Sequence, residues 1–77
     1  MEIIKISTAM IQLTQLLKWS GIVDTGGQSN IIINEGLVYV NGILVKEKRK
    51  KIYPGDQLSV KGKKYIVTGD YEINDES

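Results

Sequence analysis

Apolar residues along this 77-residue chain follow two periodicities in turn, and the change divides it. Glu2 to Ser7 alternates weakly through Ile3, Ile4 and Ile6, which predicts a short strand that must pair with a later one, since an isolated strand is not stable. Between Thr8 and Ser20 the pattern becomes helical, because Leu13, Leu16, Leu17 and Ser20 share a face by the three-and-four rule. Ser7 or Thr8 could cap a long helix here, and a start near Gln12 is the alternative. Ile31, Ile32 and Ile33 are consecutive, so on a helix two can enter the core, against Leu16 and Leu17, while one stays at the margin. From Leu37 onward the chain reads as strands at Leu37–Val40, 43–46, 57–60 and 64–68, with Tyr65 and Val67 alternating with Ile66 and Thr68.

Turn and cap signals place the boundaries. Thr25 followed by Gln28 fits a capping box, in which the Thr hydroxyl accepts the Gln28 N–H and the Gln28 side chain reaches back, so a helix opens at about Gly26. Gly36 sits where a residue of positive φ would close that helix. A buried strand is the other reading of the isoleucine run, and the caps on both sides argue against it. Asn41-Gly42 is a two-residue hairpin signal. Tyr53-Pro54-Gly55-Asp56 fits a type II turn, with Ile52 and Tyr53 re-entering the core or its edge, and Lys61-Gly62-Lys63 turns one strand into the next.

This order of elements resembles the S-four domain, the RNA-binding domain named after the fourth protein of the small ribosomal subunit. Leu13-Thr14-Gln15-Leu16-Leu17-Lys18 is similar to the family's first helix, and Ser20-Gly21-Ile22-Val23 to the bend after it. Glu35-Gly36-Leu37-Val38-Tyr39-Val40-Asn41-Gly42 resembles the helix end and "V-x-V-N-G" strand, and Pro54-Gly55-Asp56 with Leu58 and Val60 resembles the "G-D-x-I/V" strand. Roughly residues 12 to 60 are covered. The Gly26-Gly27-Gln28 start and the short length are most similar to small stand-alone bacterial members. The resemblance favours the later start of the first helix, with Ala9 to Ile11 as a connection. It implies an α+β fold, the alpha-L RNA-binding motif: two short packed helices followed by β-hairpins forming a small, mostly antiparallel sheet. One departure stands out: many members carry arginines in the second helix, where this chain has Gln28, Ser29 and Asn30.

Composition narrows the chemistry. The chain has room for one small domain, expected at residues 1–68, with net stability on the order of 4 to 10 kcal/mol. It has no cysteine and no histidine, which removes disulfides, thiolates and the commonest metal ligand and general base. A binding module without catalytic residues, metal, cofactor or small-molecule substrate is the reading adopted. No apolar run approaches the length of a membrane span and no basic segment precedes an apolar one at the N-terminus, so a soluble, cytoplasmic protein is expected.

The net charge of +1 hides its distribution. Residues 1–40 hold Lys5 and Lys18 against Glu2, Asp24 and Glu35. Residues 41–64 hold eight basic side chains against Glu47 and Asp56, and residues 65–77 hold four acidic ones and no basic one. The segment 69–77 is therefore expected to be an acidic, disordered tail, a solubilising end rather than a shield over the basic loop. Lys46-Glu47-Lys48-Arg49-Lys50-Lys51 is the densest charge. Such a run is ordinarily a solvated loop, but here it links two strands beside the second helix and would present its cations on one surface.

The candidate RNA-binding residues are Lys18, Gly26, Gly27, Gln28, Asn30, Lys46, Lys48, Arg49, Lys50 and Lys51. The lysines and arginine would position phosphates. The free N–H groups and positive dipole end at Gly26-Gly27 would admit one closely, where the plainer alternative is a tight turn. Trp19 reads as a core or rim aromatic filling the gap between the helices, with a stacking or cation–π role beside Lys18 as the alternative. The resemblance implies structured RNA as partner, ribosomal or transfer RNA, with association to a ribosomal subunit. A ubiquitin-like sulfur carrier is the second reading, but carriers act through a C-terminal Gly-Gly and this chain reads Asp75-Glu76-Ser77 there. A module docking an acidic protein through the basic loop is the third.

Overall fold

The computed structural model describes residues 1–69. In chain order the elements are β1 (Glu2–Ile6), β2 (Ile11–Gln12), α1 (Leu13–Trp19), α2 (Gly26–Asn34), β3 (Val38–Val40), β4 (Ile43–Leu44), β5 (Lys51–Ile52), β6 (Gln57–Val60) and β7 (Lys63–Gly69). Five strands form one sheet in the order β1-β7-β6-β3-β4, and β2 with β5 form a second, two-stranded sheet. All pairings are antiparallel except β1 with β7, which run parallel with Ile4 opposite Val67.

The two helices lie over the inner face of the larger sheet, and the period-two pattern of the strands selects that face. Ile4 and Ile6 of β1, Val38 and Val40 of β3, Leu58 and Val60 of β6, and Tyr65 and Val67 of β7 all turn inward and are buried. Leu13, Leu16 and Leu17 meet them from α1 and are fully buried, as is Ile33 of α2. Each such side chain contributes about 1.5 to 3 kcal/mol when taken from water. The isoleucine run divides as expected: Ile32 and Ile33 enter the core, and Ile31 remains 56% exposed.

Both helices end in the same way. Gly36 has φ of +76°, its N–H donates to the Ile33 carbonyl, and the Leu37 N–H reaches the Ile32 carbonyl. This is a Schellman motif. The motif recurs after α1, where Gly21 (φ +79°) donates to Lys18 and Ile22 to Leu17. At the start of α2 the Thr25 Oγ1 accepts the Gln28 N–H at 3.1 Å, as a capping box requires. The return bond is displaced by one residue: Gln28 Oε1 accepts the N–H of Asp24 at 2.8 Å.

Several expectations are corrected. The long helix from Ser7 or Thr8 does not form; α1 begins at Leu13, the later start. Residues 9–11 are more than a connection, because Ile11 and Gln12 pair with Ile52 and Lys51. β4 ends at Leu44 rather than at residue 46, with one further bond from the Val45 N–H to the Val38 carbonyl, and the Lys46 side chain reaches α2. Tyr53 is exposed while Ile52 is fully buried. Lys63 already belongs to β7, which leaves Lys61-Gly62 as a two-residue turn. Gly69 closes β7, and the rest of the expected acidic tail lies outside the described residues.

Trp19 does not fill the space between the helices. It is 61% exposed and its Nε1 donates at 2.8 Å to the Lys5 carbonyl of β1. Because β1 is an edge strand, the indole caps a carbonyl that would otherwise be open for pairing with another chain. At the other end of the same strand Glu2 accepts from the Lys63 ammonium at 2.9 Å. That hydrogen bond, with the attraction of the charge, raises the Lys63 pKa. Both groups are exposed, so the pair aligns β1 with β7 more than it stabilises them.

Candidate nucleic-acid interface

The basic loop is held chiefly by its backbone. The first N–H groups of a helix lack intrahelical acceptors. In α1 the side chain of the capping residue Gln12 makes no such bond. The loop supplies the acceptors: the Leu13 N–H donates to the Lys50 carbonyl at 2.8 Å and the Thr14 N–H to the Lys48 carbonyl at 3.3 Å. A turn in which Lys50 donates to the Glu47 carbonyl precedes β5, and Lys51 pairs with Gln12. Lys48, Arg49 and Lys51 are consequently free to point into solvent, and Lys50 is half-buried. The expectation that this loop sits beside the second helix is corrected: its backbone is bonded to the N-terminal end of α1, and it reaches α2 through Lys46, which donates at 3.2 Å to the Asn34 carbonyl. That places a cation at the negative end of the α2 dipole.

The other expected site, Gly26-Gly27, lies at the opposite end of α2. Nine residues separate the ends by about 12 Å at 1.5 Å per residue. Both glycines are exposed and neither has positive φ, so the chain does not require glycine for a turn there. A Cβ at Gly26 would meet nothing within 4 Å, and one at Gly27 would meet only the Thr25 Oγ1 at 3.7 Å. The backbone at this helix start is therefore bare, with the N–H groups of Gly26 and Gly27 ahead of the first intrahelical bond.

The second-helix positions separate by burial. Ser29 is fully buried, with Oγ 3.4 Å from the Thr14 carbonyl and 3.5 Å from that of Thr25, so it joins the two helices. Gln28 is exposed with its oxygen committed to Asp24, which leaves its amide nitrogen facing outward. Asn30 is half-buried and Lys18 is exposed. Lys61, one of the basic residues of the 41–64 segment, lines a shallow cleft with Gln28 and Ile31. Its backbone is fixed there by the bond from its N–H to the Leu37 carbonyl at 3.1 Å. Its charge was legible in the sequence, but its place beside the second helix was not.

The structure thus brings Lys46 to Lys51 together on the α1 start and the α2 end, and leaves Gly26, Gly27 and Gln28 as a separate polar patch flanked by Lys61. Among the described residues no group of three or more potential ligand side chains could hold a metal ion, and no helix is long and apolar enough to cross a membrane.

The same architecture occurs in known proteins. The fold superposes on the 30S ribosomal protein S4e from Thermoplasma acidophilum with a TM-score of 0.67 and 23% identity, covering 78% of this chain and 32% of that one. The solution structure of YbcJ from E. coli, described as an alpha-L motif involved in RNA binding, matches with a TM-score of 0.68 and 33% identity over 88% of this chain and 87% of that one. By sequence the chain is 40% identical over 52 residues to YbcJ of Escherichia coli (strain K12), which carries the name of a candidate RNA-binding protein; the match spans 68% of this chain and 74% of YbcJ. It is 34% identical over 59 residues to RlbA of Bacillus subtilis (strain 168), named a probable ribosome maturation protein, spanning 77% of this chain and 83% of RlbA. Residues 4–68 match the S4 domain, and with this fold and these relatives the chain belongs to that family.

Proposed function

We propose that this chain is a non-catalytic cytoplasmic RNA-binding protein that holds structured RNA, ribosomal or transfer RNA, in association with the ribosome. The observation that carries the reading is the anchorage of the basic loop. Because the Lys48 and Lys50 carbonyls are bonded to α1, the loop's cations are preorganised on one surface instead of being ordered at binding, which lowers the entropic cost of the complex. The candidate contacts are Lys46, Lys48, Arg49, Lys50 and Lys51 on the loop, Lys18 at the end of α1, and Gly26, Gly27, Gln28 and Asn30 on α2. Phosphate contacts would supply affinity, and RNA shape would supply selectivity where the RNA is duplex, because its deep groove resists side-chain readout. The names of YbcJ and RlbA support an RNA partner and a place in ribosome maturation.

The test is recovery of the tagged chain with its bound material from cells, followed by nuclease. Release of the chain from a ribosome-sized fraction by ribonuclease is the expected result. A complex that resists ribonuclease and yields only to salt would instead favour an acidic protein partner.

A further inference from the structure

The groove beside the basic loop carries chemistry that phosphate binding does not use. It is open, holds about 450 Å³, and is lined by Val40, Asn41, Ile43, Leu44, Glu47 and Lys50 among others. That volume falls within the range of small-ligand sites. Its apolar wall is exposed to water at Ile43, which is 69% accessible. Exposed aliphatic side chains at the rim of a cationic loop contribute nothing to a phosphate, but they supply a surface on which a flat apolar face can lie.

Two polar groups line the same groove without partners. Glu47 is the one acidic residue in the run Lys46–Lys51. Among the described residues it forms no ion pair with the cations around it, the single pair there being Lys63 with Glu2. A carboxylate in this position opposes phosphate binding, so a loop built for phosphates alone gains nothing from it. The second group is backbone. Val45 donates to the Val38 carbonyl, so Leu44, opposite Tyr39, occupies a non-hydrogen-bonded position of the β3–β4 ladder. Its N–H and C=O turn away from β3, and β4 is the last strand of the sheet, so that edge is open.

Resting on the RNA reading above, we infer that this groove takes an unpaired guanine base of the bound RNA, with the Glu47 carboxylate and the Leu44 N–H reading its Watson–Crick edge. Unpaired RNA bases are recognised on that edge while their faces lie on side chains. Guanine alone among the four bases places two donors side by side there, N1–H and N2–H, which match the two oxygens of a carboxylate; its adjoining O6 accepts an N–H. Adenine, cytosine and uracil each set a donor beside an acceptor, and the acceptor would face the carboxylate. Ile43, whose side chain shares a face of the sheet with Val40 and Val45, provides the apolar support, and Lys50 and the neighbouring loop cations receive the flanking phosphates. A peptide strand is the poorer occupant, because a two-residue edge strand offers one outward N–H and C=O pair and no ladder.

The test uses the full chain and stem-loop RNAs that share one stem and differ in the loop: uridine alone, or uridine interspersed with guanine, adenine or cytosine. The guanine loop is expected to bind about five- to a hundredfold more tightly than the others, the range of one good bidentate pair, with the Leu44 amide resonance moving most. Glu47→Gln should bring the four loops to near-equal affinity, since an amide donates as well as accepts. Equal binding of all four by the unaltered chain overturns the inference and leaves the RNA reading standing. So does a Glu47→Gln protein that binds every loop more tightly by one common factor, which would mark the carboxylate as a charge and nothing more. Failure of every stem-loop to bind would overturn the RNA reading itself, and the guanine site with it.

Discussion

Asn41 and Asp56, fifteen residues apart, are joined side chain to side chain, with Asn41 Nδ2 donating to Asp56 Oδ1 at 3.1 Å. Each also holds a turn. The Asn41 oxygen accepts the Gln57 N–H at 2.9 Å, and the other Asp56 oxygen accepts the Tyr53 N–H at 2.8 Å. The hairpin turn and the Tyr53–Asp56 turn are therefore one unit, and the basic loop lies in the chain between them.

Asn41→Ala should cost about 1 to 3 kcal/mol, the loss of two hydrogen bonds at a residue of positive φ. Gly42→Val should cost at least as much for a different reason. No atom lies within 4 Å of a Cβ there, but φ is +81°, a conformation that β-branched residues resist. Urea unfolding measures both, and an unchanged midpoint for Gly42→Val would reject the hairpin. Combining Asn41→Ala with Asp56→Ala should show a coupling of about 0.5 to 3 kcal/mol, as expected for residues sharing a network.

These turns were legible in the sequence because their cause is local. Asn-Gly, Pro-Gly-Asp, Thr-x-x-Gln and the helix-closing Gly36 each specify a backbone conformation within four residues. The pairing of β1 with β7 was not legible, since the alternation of Ile3, Ile4 and Ile6 tells which face is apolar and nothing about the neighbour. Trp19 misled for a related reason: burial is the common fate of tryptophan, and its hydrogen bond to Lys5 depends on where an edge strand passes. The anchorage of the basic loop left no trace in side-chain pattern, because the atoms responsible are the carbonyls of Lys48 and Lys50. Charge identified the loop, but only the fold shows that it lies away from Gly26-Gly27.

Trp19→Phe tests the edge. It keeps a ring and removes the donor to Lys5, so a loss of about 0.5 to 1.5 kcal/mol is expected, towards the lower end because water can reach that carbonyl. RNA should leave the tryptophan fluorescence of the unaltered protein nearly unchanged. Strong quenching on binding would restore the stacking role.

Gly27→Glu should weaken RNA binding while preserving the fold. The position has ordinary helical φ and room for a side chain, and replacing glycine in a helix gains about 0.5 to 1 kcal/mol. A carboxylate in the first turn also suits the dipole. The melting temperature should therefore stay level or rise, while the negative charge repels a phosphate approaching the bare N–H groups. Unchanged affinity in this folded variant would remove the helix start from the interface.

The basic loop should supply most of the affinity. Each neutralised phosphate contributes about 0.7 to 0.9 to the slope of log affinity against log salt, so three or four contacts from Lys46, Lys48, Arg49, Lys50 and Lys51 amount to roughly −2 to −4. Changing Lys48, Arg49, Lys50 and Lys51 together to Gln should flatten the slope by about that amount. The fold should survive, because the bonds from Leu13 and Thr14 end on backbone carbonyls that the substitutions leave in place. Removing exposed charges of one sign also relieves their mutual repulsion. Affinity for ribosomal RNA fragments, measured across a series of salt concentrations for both proteins, decides the matter. A folded quadruple variant with an unchanged slope would take the loop out of the interface and turn attention to Lys61, which already stands beside Gln28 and Ile31 on the open side of α2.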